Sequence, residues 1–191
     1  LIFNFLLWAN VEMNKRIPKF ALIELERHDW SRYRDVRAFL EEPTVSSAYI
    51  PQAVRGLLQS HSADDIQHWY WQIENHAVVQ GSTYQVAEHL ITVLVAALND
   101  LEGCAVRASV LELIFQMVAY NPASEEVNIG NTDLTERCRM RAREGTWEFY
   151  KILINGEVGE SESARNILEV IETDPERLAA FVASNLKEMA A

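Results

Sequence analysis

The 191-residue sequence predicts an all-α fold, an α-solenoid of about seven to eight helices in sequential pairs. Three observations predict it. Apolar residues recur at spacings of three and four through most of the chain, the period of a helix with one buried face. Seven glycines and five prolines are too few for the many turns of a sandwich or barrel, and most lie between the periodic segments. The links between those segments are short, which makes consecutive helices neighbours. With 49% hydrophobic residues the chain can fill one substantial core, so one domain is expected, and a compact orthogonal bundle is the alternative arrangement.

The opening LIFNFLLWANVE is apolar from Ile2 to Ala9 apart from Asn4. It lacks the basic flank and cleavage site of a signal peptide and falls short of the ~20 residues of a membrane span. Met13, Asn14, Lys15 and Arg16 read as a natural start, so residues 1–12 are expected to be an upstream or poorly ordered segment, with a docking segment as the alternative, and residues 13–191 a single helical-repeat domain. Ile17 to Trp30 fits a short helix or an extended lead-in, with Phe20, Ile23 and Leu25 as its apolar positions. A helix is expected from Ser31, with Tyr33, Val36, Phe39 and Leu40 on one side and Pro43 ending it. The next runs from Ser46 or Ser47 to Ser60, with Pro51 in its first turn, where a missing N–H costs little.

Ser62 is placed to cap a third helix, Ala63 to about Asn75, with Asp64 and Asp65 at the positive end of its dipole. Ile66, Trp69, Tyr70 and Ile73 form its inward stripe, which leaves Gln67, Trp71 and Glu74 on the other side. Ala77 to Ser82 breaks the helical pattern, and Gly81 can supply a positive φ there. A fourth helix, Thr83 to Asn99, and a fifth, Cys104 or Ala105 to Tyr120, flank a turn at Asn99, Asp100 and Gly103. Ala123 to Thr132 is polar and aperiodic, the longest internal loop expected. Asp133 to Asn155 reads as a helix bent near Gly145, followed by Ser161 to Glu172. The last helix starts at Pro175 behind Thr173 or Asp174 and turns Leu178, Phe181, Val182 and Leu186 inward. Ala48 to Asn75, Tyr84 to Tyr120 and Asp133 to Glu172 each read helix, turn, helix, the loose form of HEAT-like units with their period of about 40 residues.

A net charge of −11 and a pI near 4.9 argue against nucleic acid and for a basic protein partner. The one dense basic run, Arg137, Arg139, Arg141 and Arg143, alternates and so spreads around a helix. Cys104 and Cys138 are expected as reduced thiols at helical positions, with no CxxC and no histidine at ligand spacing. His28, His61, His68, His76 and His89 belong to no HExxH, and no GxSxG, Walker loop or Rossmann glycine pattern occurs. The expectation is a binding protein with no metal, cofactor or catalytic group.

The run YWQIENHAVVQGSTYQVAEHLITVLVAAL, preceded by DWSRY and IPQAVRGLLQ and followed by VRASVLELI, resembles the HEAT-repeat-like immunity proteins encoded beside bacterial polymorphic toxins. The likeness covers about Asp29 to Tyr120 and rests on Trp71, His76, Gln80, Gly81, Ser82, Tyr84 and Arg107. Here AVV separates His76 from Gln80, which lengthens the hinge between helix pairs formed by His76, Gln80, Gly81 and Tyr84. The resemblance implies neutralisation of a cognate toxin domain by direct contact in the cytoplasm, without catalysis. The alternatives are a general HEAT-type interaction scaffold and a HEAT-type nucleic-acid-associated protein, which would need a basic concave face. In stacked pairs the second helices lie side by side, so the toxin-binding face is expected to join Gln67, Trp71 and Glu74 to Glu112, Gln116 and Tyr120.

Overall fold

A computed structural model describes residues 17–40, 47–101 and 105–189, with side chains described to residue 185. The segment 1–12, Pro43, Gly103, Cys104 and the side chain of Leu186 lie outside the described residues. The fold is all-α apart from three two-residue strands. Helices α1 (Lys19–Glu26), α4 (Val86–Leu98) and α7 (Leu134–Arg143) pack in succession on one side. Helices α3 (Ala63–Ala77), α5 (Ala105–Ala119) and α9 (Val158–Ile171) do so on the other. Around them, α2 (Ile50–Gln59) packs on α3, α8 (Thr146–Asn155) on α9, and α10 (Pro175–Met189) on α8 and α9.

Helix α4 is the centre of the core because it has almost no polar side: Val86, Ala87, Leu90, Ile91, Val93, Leu94, Ala97 and Leu98 are all buried. A helix apolar all round must be surrounded, and α1, α5 and α7 surround this one. On α5, Val106, Val110, Leu113, Ile114, Met117 and Val118 are buried as their spacing requires. Ser62 caps α3 through a hydrogen bond from the Asp65 amide at 3.1 Å, and Pro51 and Pro175 sit in the first turns of α2 and α10.

No α-helix starts at Ser31. That stretch forms two short 3₁₀ turns, Trp30–Arg32 and Val36–Phe39. Asp29 accepts the Ser31 amide at 3.2 Å, and the fully buried Asp35 accepts the Arg37 amide at 2.9 Å and its guanidinium at 2.6 Å. Such side-chain acceptors give the backbone an alternative to the helical ladder. Leu40, expected inward, is exposed. On α1 the buried residues are Ala21 and Leu25, whereas Phe20 and Ile23 face out.

The break after α3 is a hairpin. Strand β1 (Val78–Val79) pairs antiparallel with β2 (Ser82–Thr83), and β2 pairs in parallel with β3 (Asn121–Pro122). Gln80 has φ 50 and Gly81 φ 77, the two positive values of a tight primed turn. Thr83 therefore belongs to a strand, and α4 begins at Val86 without a local side-chain cap. The residue just before it, Gln85, is held in place by the segment expected to be the longest loop, where the short helix α6 (Ser124–Asn128) carries Glu126. That fully buried carboxylate accepts the Gln85 amide at 3.0 Å, Arg34 at 3.0 Å and the Asn131 amide group at 2.7 Å.

The bend at Gly145 is a complete break between α7 and α8. A Cβ there would overlap the side chain of Val95 on α4, so only glycine permits the approach. Helix α9 starts at Val158, ahead of Ser161, because Glu157 and Glu160 close a reciprocal capping box. Cys138 is a buried free thiol, its pKa pushed up to about 12 by burial.

Candidate functional site

Helices α3 and α5 lie against each other, and along their outer line of contact runs an open groove of about 520 Å³. Ala63, Ile66 and Tyr70 from α3 and Ala105 and Ala108 from α5 form much of its lining, with Gln67, Trp71, Ser109 and Glu112 completing it. Residues 63–71 share the groove with residues 105–112, and Tyr70 bonds to Gln116, so the two helices run in the same direction. Three expected site residues, Gln67, Trp71 and Glu112, thus line one groove.

Trp71 is 45% exposed, one of the large apolar side chains left on the surface. Its ring stands edge-on to that of Tyr70, with centroids 5.2 Å apart and planes at 83°. The third side of this corner is built by Gln116, whose amide nitrogen donates to the Tyr70 hydroxyl at 2.9 Å and to Glu112 at 3.1 Å. The Gln116 amide oxygen is shielded from solvent and receives no hydrogen bond among the described residues. Glu74 lies one turn beyond Tyr70 and is partly buried. Burial pushes its carboxyl above the usual range. The Tyr70 hydroxyl is pushed up to about 12, first by burial, with the charges of Glu112 and Glu74 adding to the effect. Among the described residues no lysine or arginine lines the groove.

Tyr120 is not part of the groove lining, although its phenol lies near enough to the Tyr70 hydroxyl to act on it electrostatically. It packs partly buried against the core, and its carbonyl accepts the Thr135 hydroxyl at 2.8 Å. The residues of the expected hinge are held by local contacts. The His76 ring nitrogen Nδ1 is 2.8 Å from the Gln72 carbonyl and its ring meets Tyr49 edge-on, while burial lowers its pKa. Gln80 and Gly81 are the turn of the hairpin, and Tyr84 is buried with its ring tilted on Phe39. Arg107 reaches across to α9 and pairs with the buried Glu160.

The sequence placed Tyr70 and Ile66 with the inward stripe, yet both also line the groove, whose floor is kept low by the small side chains of Ala63, Ala105 and Ala108. A second aromatic cluster gathers His28, Trp30, Tyr33 and His89, with His89 stacked on Tyr33 at 3.7 Å and His28 Nδ1 2.9 Å from the Tyr33 hydroxyl. Burial holds His89 at about 4. Among the described residues no three His, Cys, Asp or Glu side chains gather as a metal site would need, and no helix is long and apolar enough to cross a membrane.

The arginines of α7 are each engaged by a carboxylate or a carbonyl, Arg141 on the exposed side of the helix. Arg137 pairs with Glu88 and Asp133, Arg139 donates to the Val118 carbonyl, Arg141 pairs with Glu144, and Arg143 donates to the Ile171 carbonyl and Glu136. Comparison with protein-family models, curated proteins and solved structures gives no match to this chain.

Proposed function

We propose that this protein is an immunity protein that binds a cognate basic toxin domain through the α3–α5 groove and neutralises it by contact alone. The observation that carries the reading is Trp71, an exposed indole on the rim of an apolar groove with acidic side chains and, among the described lining residues, no lysine or arginine. An aromatic anchor beside orienting polar groups is the composition of an interaction hot spot. The net charge of −11 suits a basic partner, and the engagement of the α7 arginines with carboxylates and carbonyls leaves that helix poorly suited to phosphates. The resemblance of Asp29 to Tyr120 to HEAT-repeat-like immunity proteins supports the same reading, and on it the two helix layers are HEAT-type pairs in the cytoplasm.

The test is co-expression with the toxin domain encoded beside this gene. The protein should restore growth and co-purify with that domain. Trp71→Ala should weaken the complex by roughly 2 kcal/mol or more while leaving the melting temperature nearly unchanged. Full affinity together with a large fall in melting temperature would remove Trp71 from the interface.

A further inference from the structure

The way this molecule treats its own buried acids distinguishes Glu74. Among the described residues, every other acidic side chain that is at least partly buried holds an arginine or lysine. Glu24 holds Arg27, Asp35 holds Arg37, Glu88 holds Arg137 and Glu126 holds Arg34. Glu148, Glu160 and Glu172 hold Lys151, Arg107 and Arg177 in the same way. Glu74 has no ion pair and no side-chain hydrogen bond among the described residues, and burial is the single cause of its raised pKa. Glu112, on the neighbouring helix, has only the neutral amide of Gln116. A partly desolvated carboxylate without a cation is unfavourable, and the charges of Glu74 and Glu112 both bear on the Tyr70 hydroxyl.

Two of the filled sites show what this corner lacks. At the α9–α10 junction Arg177 pairs with Glu172 at 2.7 Å and lies 5.5 Å from the Trp147 ring centre and 5.9 Å from that of Tyr150. Beside the second 3₁₀ turn, Arg37 pairs with Asp35 and sits over the Tyr49 ring at 4.1 Å. The groove offers the same parts, a tryptophan and a tyrosine at right angles with carboxylates beside them, and lacks the guanidinium.

The geometry points to an arginine side chain of the partner as the missing component, its guanidinium on the Trp71 face between Glu74 and Glu112 and its stem along Ile66 and Ala108. A planar guanidinium is suited to this corner because it stacks on an indole and still has several N–H donors for carboxylates. The inference rests on the α3–α5 groove being the interface, and it names the group that the interface recognises.

The probe is a short amidated peptide with one arginine flanked by leucines, against the same peptide carrying citrulline, which keeps the shape and hydrogen-bonding head but not the charge. Binding is followed by the Trp71 indole N–H resonance, assigned by its loss in Trp71→Phe. The arginine peptide should shift that resonance and bind at least five-fold more tightly than the citrulline peptide. Glu74→Gln and Glu112→Gln should each weaken it at least three-fold, and the pair at least ten-fold, with no loss of thermal stability. Equal binding of the two peptides, no binding, or full affinity in the double variant would overturn the inference. Growth protection by the double variant separates the two readings. If protection needs Trp71 but neither carboxylate, the toxin-binding reading stands and the arginine site fails. If the peptide binds as expected but no toxin is neutralised, the site stands and the toxin-binding reading fails.

Discussion

Replacing Glu126 tests whether a distant carboxylate, and no local residue, fixes the start of the central helix. Its side chain is fully buried and accepts from the Gln85 amide, Arg34 and Asn131. Hydrogen bonds to a charged group contribute about 1.5 to 3 kcal/mol each, but three on one carboxylate do not simply add. The Arg34 side chain is 37% exposed and can regain water, which reduces its share. The Gln85 amide and the Asn131 side chain are the donors that Glu126→Ala leaves without their acceptor. The net cost should be about 3 to 4 kcal/mol. At ~2–4 °C per kcal/mol for a chain of this size, the melting temperature should fall by roughly 10 °C. Glu126→Gln keeps one oxygen for the Gln85 amide but turns an N–H₂ toward the other donors, so it should lose about half as much. Circular dichroism melts and urea titrations of the two variants measure both. An alanine variant within 2–3 °C of wild type, a shift too small for the loss of these hydrogen bonds, would refute the assignment.

Three further perturbations have defined outcomes. Gly81→Val should cost about 1 to 3 kcal/mol through backbone strain alone, since a Cβ at this φ of 77 meets open space; an unchanged urea midpoint would contradict it. Gly56→Ala should expel the Trp69 indole, with which a Cβ there would overlap, and red-shift tryptophan emission as the ring gains water; an unaltered spectrum and melt would refute the packing of α2 on α3. Burial holds His89 at about 4, below its unfolded value near 6.5, so the folded state binds fewer protons than the unfolded one. The stability this group contributes is complete above about pH 6.5 and is lost as pH falls toward 4; His89→Gln should flatten that part of the melting-temperature profile, and an identical slope would assign it elsewhere.

The parts of the fold legible in the sequence are those set by neighbours along the chain. The Ser62 cap, Pro51, Pro175 and the buried stripes of α4 and α5 all depend on residues within a few positions. The helix expected from Ser31 fails for a local reason as well, because Asp29 and Asp35 each capture an amide two residues on, and apolar spacing does not register that competition. Glu126 was out of reach, since its partner Arg34 lies in a segment that only the folded chain brings near. The Gln80-Gly81 turn was visible as a break, but two-residue strands carry too little periodicity to be seen as a hairpin. The same division holds at the site. Helical spacing put Gln67 and Trp71 on one face, and stacked pairs brought Glu112 beside them. Nothing along the chain shows that Glu74 lacks a cation, because that depends on where every arginine ends up.

The miniature sheet has a mechanical consequence for the groove. Helix α3 leads directly into β1 and α5 into β3, and β2 hydrogen-bonds to both strands. The C-terminal ends of α3 and α5 are therefore riveted together by main-chain bonds, close to Glu74, Tyr70 and Gln116. Their opposite ends, at Ala63 and Ala105, are both exposed and border the open groove, and among the described residues no main-chain bond joins them. Spreading the two helices would thus rotate them about the riveted end, as the arms of a calliper turn about its pin. On the proposed reading, a bulky partner side chain would be taken up by widening at the alanine end, and the spacing between the aromatic corner and its carboxylates would change least.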